Sequence, residues 1–264
     1  MTPMTTHSRF WRDPALPFIE ARRVDDGRKV CYAPHSHESF SIGAITGGRS
    51  TYVSGDNHQQ VTAGSVVLMN PGVVHTCNPI EGEPWSYLML YVDLPWLQAL
   101  GFQPFEVLSS QSPDLYQGLC QLHGVLTDSQ LSSASKHAAL RIFFSELIQR
   151  LPSRVADAGR VNPRLLTAAA FIRAHCTQAL RLEDMGDAAG LSTSYLIRAF
   201  KQHFGLTPHG YLVDQRVQYA RARLRSGALI AEVALEAGFA DQAHLQRAFK
   251  RHLAATPGHY RSAQ

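Results

Sequence analysis

The last hundred or so residues carry one stretch of text twice. Tyr195 to Leu212 reads YLIRAFKQHFGLTPHGYL, and His244 to Arg261 reads HLQRAFKRHLAATPGHYR. At an offset of 49, nine positions are identical: Leu196/Leu245, Arg198/Arg247, Ala199/Ala248, Phe200/Phe249, Lys201/Lys250, His203/His252, Thr207/Thr256, Pro208/Pro257 and Tyr211/Tyr260. Upstream the match continues at an offset of 48, pairing Leu182 with Ile230, Asp184 with Glu232, Met185 with Val233, Ala189 with Ala237 and Gly190 with Gly238. One residue has been gained or lost in the turn between the two blocks. A unit written twice folds into two like substructures. Repeated Arg and Lys in its helical stretch point to one contact made twice on a regular partner, and double-stranded DNA fits.

Each copy has the grammar of a helix-turn-helix. In the first, LEDMGDAAG ends a short helix at Gly190, Leu191 packs inward, and Ser192 or Thr193 caps a helix over 194–203. In the second, IAEVALEAG ends at Gly238, Phe239 packs inward, and Asp241 caps a helix over 242–251. Glycine permits the positive φ of a tight turn, and a Ser, Thr or Asp cap satisfies free N–H groups of the next helix. Leu196 and Phe200, like Leu245 and Phe249, lie four apart and form the buried stripe.

The opposite face then offers Thr193, Ser194, Ile197, Arg198 and Lys201 in one copy, and Gln242, Ala243, Gln246, Arg247 and Lys250 in the other. These are the candidate DNA contacts. Arginine reads guanine and glutamine reads adenine through paired hydrogen bonds, each worth about 1–3 kcal/mol of discrimination. The competing role for Arg198 and Arg247 is an ion pair with the preceding helix, for example with Asp184 or Glu232. Lys201 and Lys250 suit phosphates or plain solvation. Thr207-Pro208 and Thr256-Pro257 each open a further helix, whose free N–H groups suit phosphate. Tyr211 to Arg225 is long enough to join the copies rigidly, so that two helices could enter the major groove about 34 Å apart.

Charge follows the same division. Residues 163–264 carry 13 Lys and Arg against 7 Asp and Glu, a net of +6, whereas residues 1–162 carry 12 against 14, a net of −2. A basic module is the electrostatic footprint of phosphate binding. The four cysteines, Cys31, Cys77, Cys120 and Cys176, are scattered with no CxxC and read as reduced thiols. Neither a signal peptide nor a membrane span is legible, so a cytoplasmic protein is expected.

From about residue 30 to 95 short apolar runs alternate with Gly, Pro, Asn and Asp turns, which argues for a sandwich or barrel. After Pro113 the period changes. Leu115, Leu119, Leu122 and Leu126, then Leu140, Phe143, Phe144, Leu147, Ile148 and Leu151, mark two amphipathic helices around a Ser-rich turn at 129–135. Such a pair covers a core or forms a dimer seam. Pro152 to Asn162 has no apolar period and reads as a linker. The expected organisation is therefore an all-β domain over 1–110, a helical dimerisation segment over 111–151, a linker over 152–162 and an all-α domain over 163–264. The two helix-turn-helix motifs fall at about 181–203 and 229–252.

The texts LSxxYLxRxFKxxxGxTPxxYL of Leu191 to Leu212 and AxxxGFxDxxHLxRxFKxxxxxTPxxYR of Ala234 to Arg261 resemble the DNA-binding domain of the AraC/XylS family of bacterial transcription regulators. The resemblance covers about 100 residues, with two departures. Gly186 stands where alanine is usual, which should weaken its short helix by up to about 1 kcal/mol. Leu253-Ala254-Ala255 lacks the glycine that closes the first recognition helix. Upstream, His35-Ser36-His37, the GSVVLMNPG text of 64–72 and His75 are similar to the cupin-like sensor barrel of many members. That resemblance implies a small-molecule effector, with His35, His37, His75, Tyr52, Trp85 and Tyr87 as candidate contacts, and Tyr91 as a further wall residue. It also implies a homodimer, RNA polymerase as partner, and activation more than repression.

No cofactor is expected. A cupin-type metalloenzyme would need metal on His35, His37 and His75, but Glu38 follows His37 directly and so faces the other side of a strand. No Ser/His/Asp arrangement, P-loop or paired carboxylate points to an enzyme. Two alternatives remain open at this point: a metalloenzyme domain fused to a DNA-binding tail, and a constitutive DNA-binding protein whose barrel only dimerises.

Overall fold

The computed structural model describes residues 8–55, 57–153 and 162–262. They form two compact units, one of residues 8–31 and 37–153, the other of 32–36 and 162–262. Residues 154–161 of the expected linker lie outside the described residues.

The first unit is built on antiparallel strands: β1 (Ser8–Trp11), β2 (Ile19–Val24), β3 (Phe40–Ser54), β4 (Asn57–Thr62), β5 (Val66–Met69), β6 (His75–Pro79), β7 (Trp85–Val92) and β8 (Ser109–Ser110). A short helix α1 (Leu94–Gln98) follows β7, and α2 (Pro113–Thr127) and α3 (Ser133–Arg150) follow β8. The main path runs β1-β2-β7-β3-β5-β8. The long strand β3 joins two pairings, its first half lying between β7 and β5 and its second half pairing with β4 and β6.

Alternation along β7 divides the sheet's two faces. Leu88, Leu90 and Val92 join Ile42, Ala44 and Leu68 in a core closed by Leu119, Leu122 and Leu126 of α2 and Leu140, Phe144 and Leu147 of α3. Each of the larger side chains, Leu, Ile, Val or Phe, contributes about 1.5–3 kcal/mol by leaving water. The apolar stripe of the helix pair is thus used inside its own unit. What α3 leaves exposed is Ile142, and Leu131 precedes it in the turn.

Strands begin earlier than the expected residue 30. SRFW and IEARRV hide their alternation because their buried polar groups are partnered. Arg22 donates from Nε to Ser8 Oγ at 2.9 Å and lies 4.9 Å over the Phe10 ring, while Glu20 accepts from Arg12 at 2.7 Å.

The second unit contains α4 (Pro163–Ala174), α5 (Leu182–Ala189), α6 (Thr193–Phe204), α7 (Pro208–Arg225), α8 (Ile230–Glu236), α9 (Gln242–Leu253) and α10 (Pro257–Arg261). The α5–α6 and α8–α9 pairs are the two copies. Their turns close alike, with Leu191 N–H donating to the Gly186 carbonyl and Phe239 N–H to the Ala234 carbonyl, both at 2.9 Å. Gly190 (φ 63°) and Gly238 (φ 77°) supply the left-handed residue. Between the turn glycine and the cap stand Leu191 in one copy and Phe239-Ala240 in the other, which accounts for the change of offset. Gly186 has a local reason as well: a Cβ there would lie 2.7 Å from the Leu191 carbonyl oxygen.

Gly205 (φ 74°) closes α6, and the equivalent residue after α9 is Ala254 at φ 48°, the one non-glycine with positive φ among the described residues. An L-residue there carries a steric cost of about 1–2 kcal/mol, partly offset by the backbone entropy glycine loses on folding. Ala254→Gly should therefore stabilise the helical unit by about 1 kcal/mol, measured by urea unfolding followed by circular dichroism. A second expectation concerns His75, buried in β6 with its Nδ1–H donating to the Val73 carbonyl at 2.9 Å. Burial disfavours the imidazolium and pushes its pKa down to about 4. As pH falls from about 6.5 towards 4, the unfolded chain takes up a proton that the folded one refuses. Stability should then drop by up to about 1.4 kcal/mol per pH unit. Urea midpoints over this range should fall less steeply for His75→Gln than for the parent.

Candidate nucleic-acid interface and ligand-binding face

Both recognition helices begin on side-chain caps. Ser192 Oγ accepts from Tyr195 N–H at 3.4 Å, and Asp241 Oδ1 accepts from His244 N–H at 2.6 Å. Leu196 and Phe200 of α6, and Leu245 and Phe249 of α9, are completely buried. Their burial fixes each helix's rotation and turns the other side outward. Ser194, Ile197, Arg198, Lys201, Gln242, Ala243, Gln246, Arg247 and Lys250 are all exposed, and Thr193 is half-buried.

The ion-pair alternative for the repeated arginines is not what forms. Asp184 instead serves the start of α5, accepting from the Arg181 N–H at 2.8 Å and from its guanidinium at 3.4 Å. On α8, Glu236 binds Arg223 at 2.8 Å. No hydrogen bond or ion pair among the described residues engages Arg198, Lys201, Arg247 or Lys250. Four cations therefore project from two helices with their donors facing solvent. Tyr195, absent from the sequence candidates, is also exposed on α6 beside Ile197. Thr207 and Thr256 each accept from an N–H of the helix they cap, Gly210 at 3.1 Å and His259 at 3.2 Å.

In the first unit, the ligand candidates separate into groups. His37 and His75 meet, with ring centroids 4.8 Å apart in an edge-on arrangement. His37 Nδ1–H donates to the Ser39 carbonyl at 2.7 Å, and its Nε2 lies 3.1 Å from Ser41 Oγ. Tyr91 stands 5.6 Å from the His37 ring. On β7 it shares a face with Tyr87, opposite Leu88 and Leu90. Tyr52 is completely buried, and its hydroxyl donates to the Leu68 carbonyl at 2.8 Å. Trp85 stacks on Tyr87 at 4.6 Å and lies so close to Gly27 that a Cβ there would come within 2.3 Å of its Nε1.

His35 does not join this group. It belongs to the other unit, where its ring lies 5.4 Å from Tyr32 and its Nδ1–H donates to the Ala33 carbonyl at 2.9 Å. Among the described residues, no group of three or more His, Cys, Asp or Glu is placed to hold a metal ion. The cupin-enzyme donor set does not fit.

Comparison with known proteins gives a consistent result. The AraC-like ligand binding domain family matches residues 19–168, and a helix-turn-helix domain family matches residues 185–263. The HTH-type transcriptional regulator YbfI of Bacillus subtilis is 25% identical over 245 residues, covering 88% of this chain and 87% of its own. The lactose operon transcription activator of Staphylococcus xylosus is 22% identical, covering 75% and 74%. The transcriptional activator RhaS of Salmonella schwarzengrund is 26% identical, covering 82% of each chain. Among solved structures, unsaturated fatty acid bound ToxT of Vibrio cholerae aligns over 98% of this chain and 97% of its own with a TM-score of 0.60 at 14% identity, a likeness of fold. With a ligand-binding domain ahead of two helix-turn-helix copies whose cationic faces are open, this chain belongs to the AraC family of transcriptional regulators.

Proposed function

We propose that this regulator is a cytoplasmic, effector-controlled activator that reads its operator with α6 and α9 and acts with RNA polymerase. The observation that carries the reading is the solvent-facing set Arg198, Lys201, Arg247 and Lys250, left without protein partners among the described residues. Arg198 and Arg247, with Gln242 and Gln246, are assigned to base edges. Lys201 and Lys250 are assigned to phosphates. Thr193, Ser194 and Ala243 sit at the helix starts nearest the bases, and Ile197 suits a thymine methyl. Two similar regulators carry the word activator in their names, which supports that direction of control. No helix among the described residues is long and apolar enough to cross a membrane, and four cysteines that form no disulfide among the described residues suit a reducing compartment.

Effector sensing is assigned to residues 1–110, at the His37/His75 face with Tyr52, Trp85 and Tyr87 as walls. The paired imidazoles suit a polar ligand. His35 is kept as a candidate contact from outside that group. Residues 111–151 are assigned to homodimerisation, with Ile142 and Leu131 as the apolar surface left over, and 152–162 to the linker. Effector binding acts as a population shift that changes how residues 163–264 engage the operator.

Selection of binding sites from random duplex DNA, followed by titration at several salt concentrations, tests the assignment. Arg198→Ala and Arg247→Ala should each relax preference at one base position, losing about 1–3 kcal/mol of discrimination there. Lys201→Ala should weaken all sequences alike and lower the salt slope by about one. Unchanged sequence preference in both arginine variants would show that these residues are not readers.

A further inference from the structure

A groove of about 420 Å³ lies on the helix-covered side of the first unit, between strands β1 and β2 and helix α2. It is distinct from the His37/His75 face. Leu88 lines it, and on β7 Leu88 points opposite to Tyr87 and Tyr91. The volume falls within the range of small-molecule sites.

Its rim carries an unusual charge arrangement. Arg9 and Arg23 are direct cross-strand partners in the β1–β2 ladder. Like charges in that relation are destabilising. One carboxylate serves both: Asp25 accepts from Arg9 at 2.8 Å through one oxygen and from Arg23 at 2.8 Å through the other. Neither guanidinium has another hydrogen bond among the described residues. Two cations on one anion leave a net positive charge at the groove mouth. Across from them on α2 stands His123, buried, with no hydrogen bond to its ring among the described residues. Desolvation first, then the charges of Arg23 and Arg9, hold its pKa below the usual histidine value.

The floor is apolar, made by Trp11, Ala21 and Leu88, and the α2 wall has a gap. Gly124 lies inside the helix, where glycine costs about 1 kcal/mol relative to alanine. A Cβ there would meet nothing within 4 Å, so no packing demand accounts for the glycine. It is one of the residues that line the groove.

We propose that this groove is a second ligand site, taking a small organic monocarboxylate with its carboxylate on Arg9 and Arg23 and its apolar body on Trp11, Ala21 and Leu88. A carboxylate supplies the missing counter-charge in the planar geometry that guanidinium prefers. The site is separate from the DNA-binding assignment and from the effector assignment at the His37/His75 face, and its test reads binding directly.

The experiment uses the full chain, with thermal unfolding and calorimetric titration against millimolar phenylacetate and hexanoate, their amides phenylacetamide and hexanamide, and inorganic phosphate. Both carboxylates should raise the melting temperature and the amides should not. Arg23→Gln should weaken carboxylate binding by about tenfold, equivalent to 1.4 kcal/mol. Gly124→Leu should abolish it by filling the groove, without lowering the melting temperature of the unliganded protein. Retained binding in both variants would place the ligand elsewhere and overturn the site. So would equal binding of the amides, an equal response to phosphate, or no response to either carboxylate.

Discussion

The helical unit depends on one buried strut, α7. Leu212, Val217, Ala220 and Leu224 are buried to 1% exposure or less, and the helix packs against α4, α6, α8, α9 and α10. Its polar side chains are structural as well. Arg216 donates to the Cys176 and Gln178 carbonyls, both at 2.8 Å, tying down the turn that follows α4. Arg221 donates to Tyr260 Oη at 3.0 Å, and Tyr211 packs against the Phe200 and Phe204 rings. Gly238 belongs to the same junction: a Cβ there would come within 2.8 Å of the Thr177 carbonyl oxygen. An 18-residue helix spans about 27 Å. The two recognition helices are therefore held at a set separation by packing on a common rod, as a regular, repeating partner requires.

The sensor unit rests on a different economy of faces. One sheet supports two environments: the side covered by α2 and α3 carries the apolar core with a groove at its β1–β2 end, and the other gathers His37, Ser41, His75 and Tyr91. His75 is buried there, and its burial disfavours the charged imidazolium. The helix pair, whose apolar stripe invites a dimer seam when seen alone, is mostly occupied in covering its own sheet.

Legibility in the sequence followed the strength of local rules. The two helix-turn-helix motifs were readable to within about two residues because caps, turn glycines and four-residue apolar spacing are local signals. The helix pair α2–α3 was readable for the same reason. β1 and β2 were not, because Arg22 and Glu20 are buried with partners that lie elsewhere in the chain and break the alternation. His35 and His37 look equivalent in a His-x-His text, yet they belong to different units. The need for glycine at 186 was invisible too, since it arises from the Leu191 carbonyl across the turn.

By itself the sequence determined that a unit is duplicated, that each copy ends in a capped cationic helix, and that an all-β domain precedes them. Repetition, period and capping are encoded within a few residues of one another, so one-dimensional text suffices. Only the tertiary structure decided which cations are left without a partner among the described residues, because pairing depends on what folds next to them. Asp184 could have bound Arg198 and binds Arg181 instead. Of the nine identities at an offset of 49, Leu196/Leu245, Phe200/Phe249, Pro208/Pro257 and Tyr211/Tyr260 are buried and build the scaffold, while Arg198/Arg247 and Lys201/Lys250 are exposed in both copies. Long-range packing on α7 turns that scaffold into two outward faces, and the differences between copies, Ser194/Ala243 and Ile197/Gln246, are displayed on them.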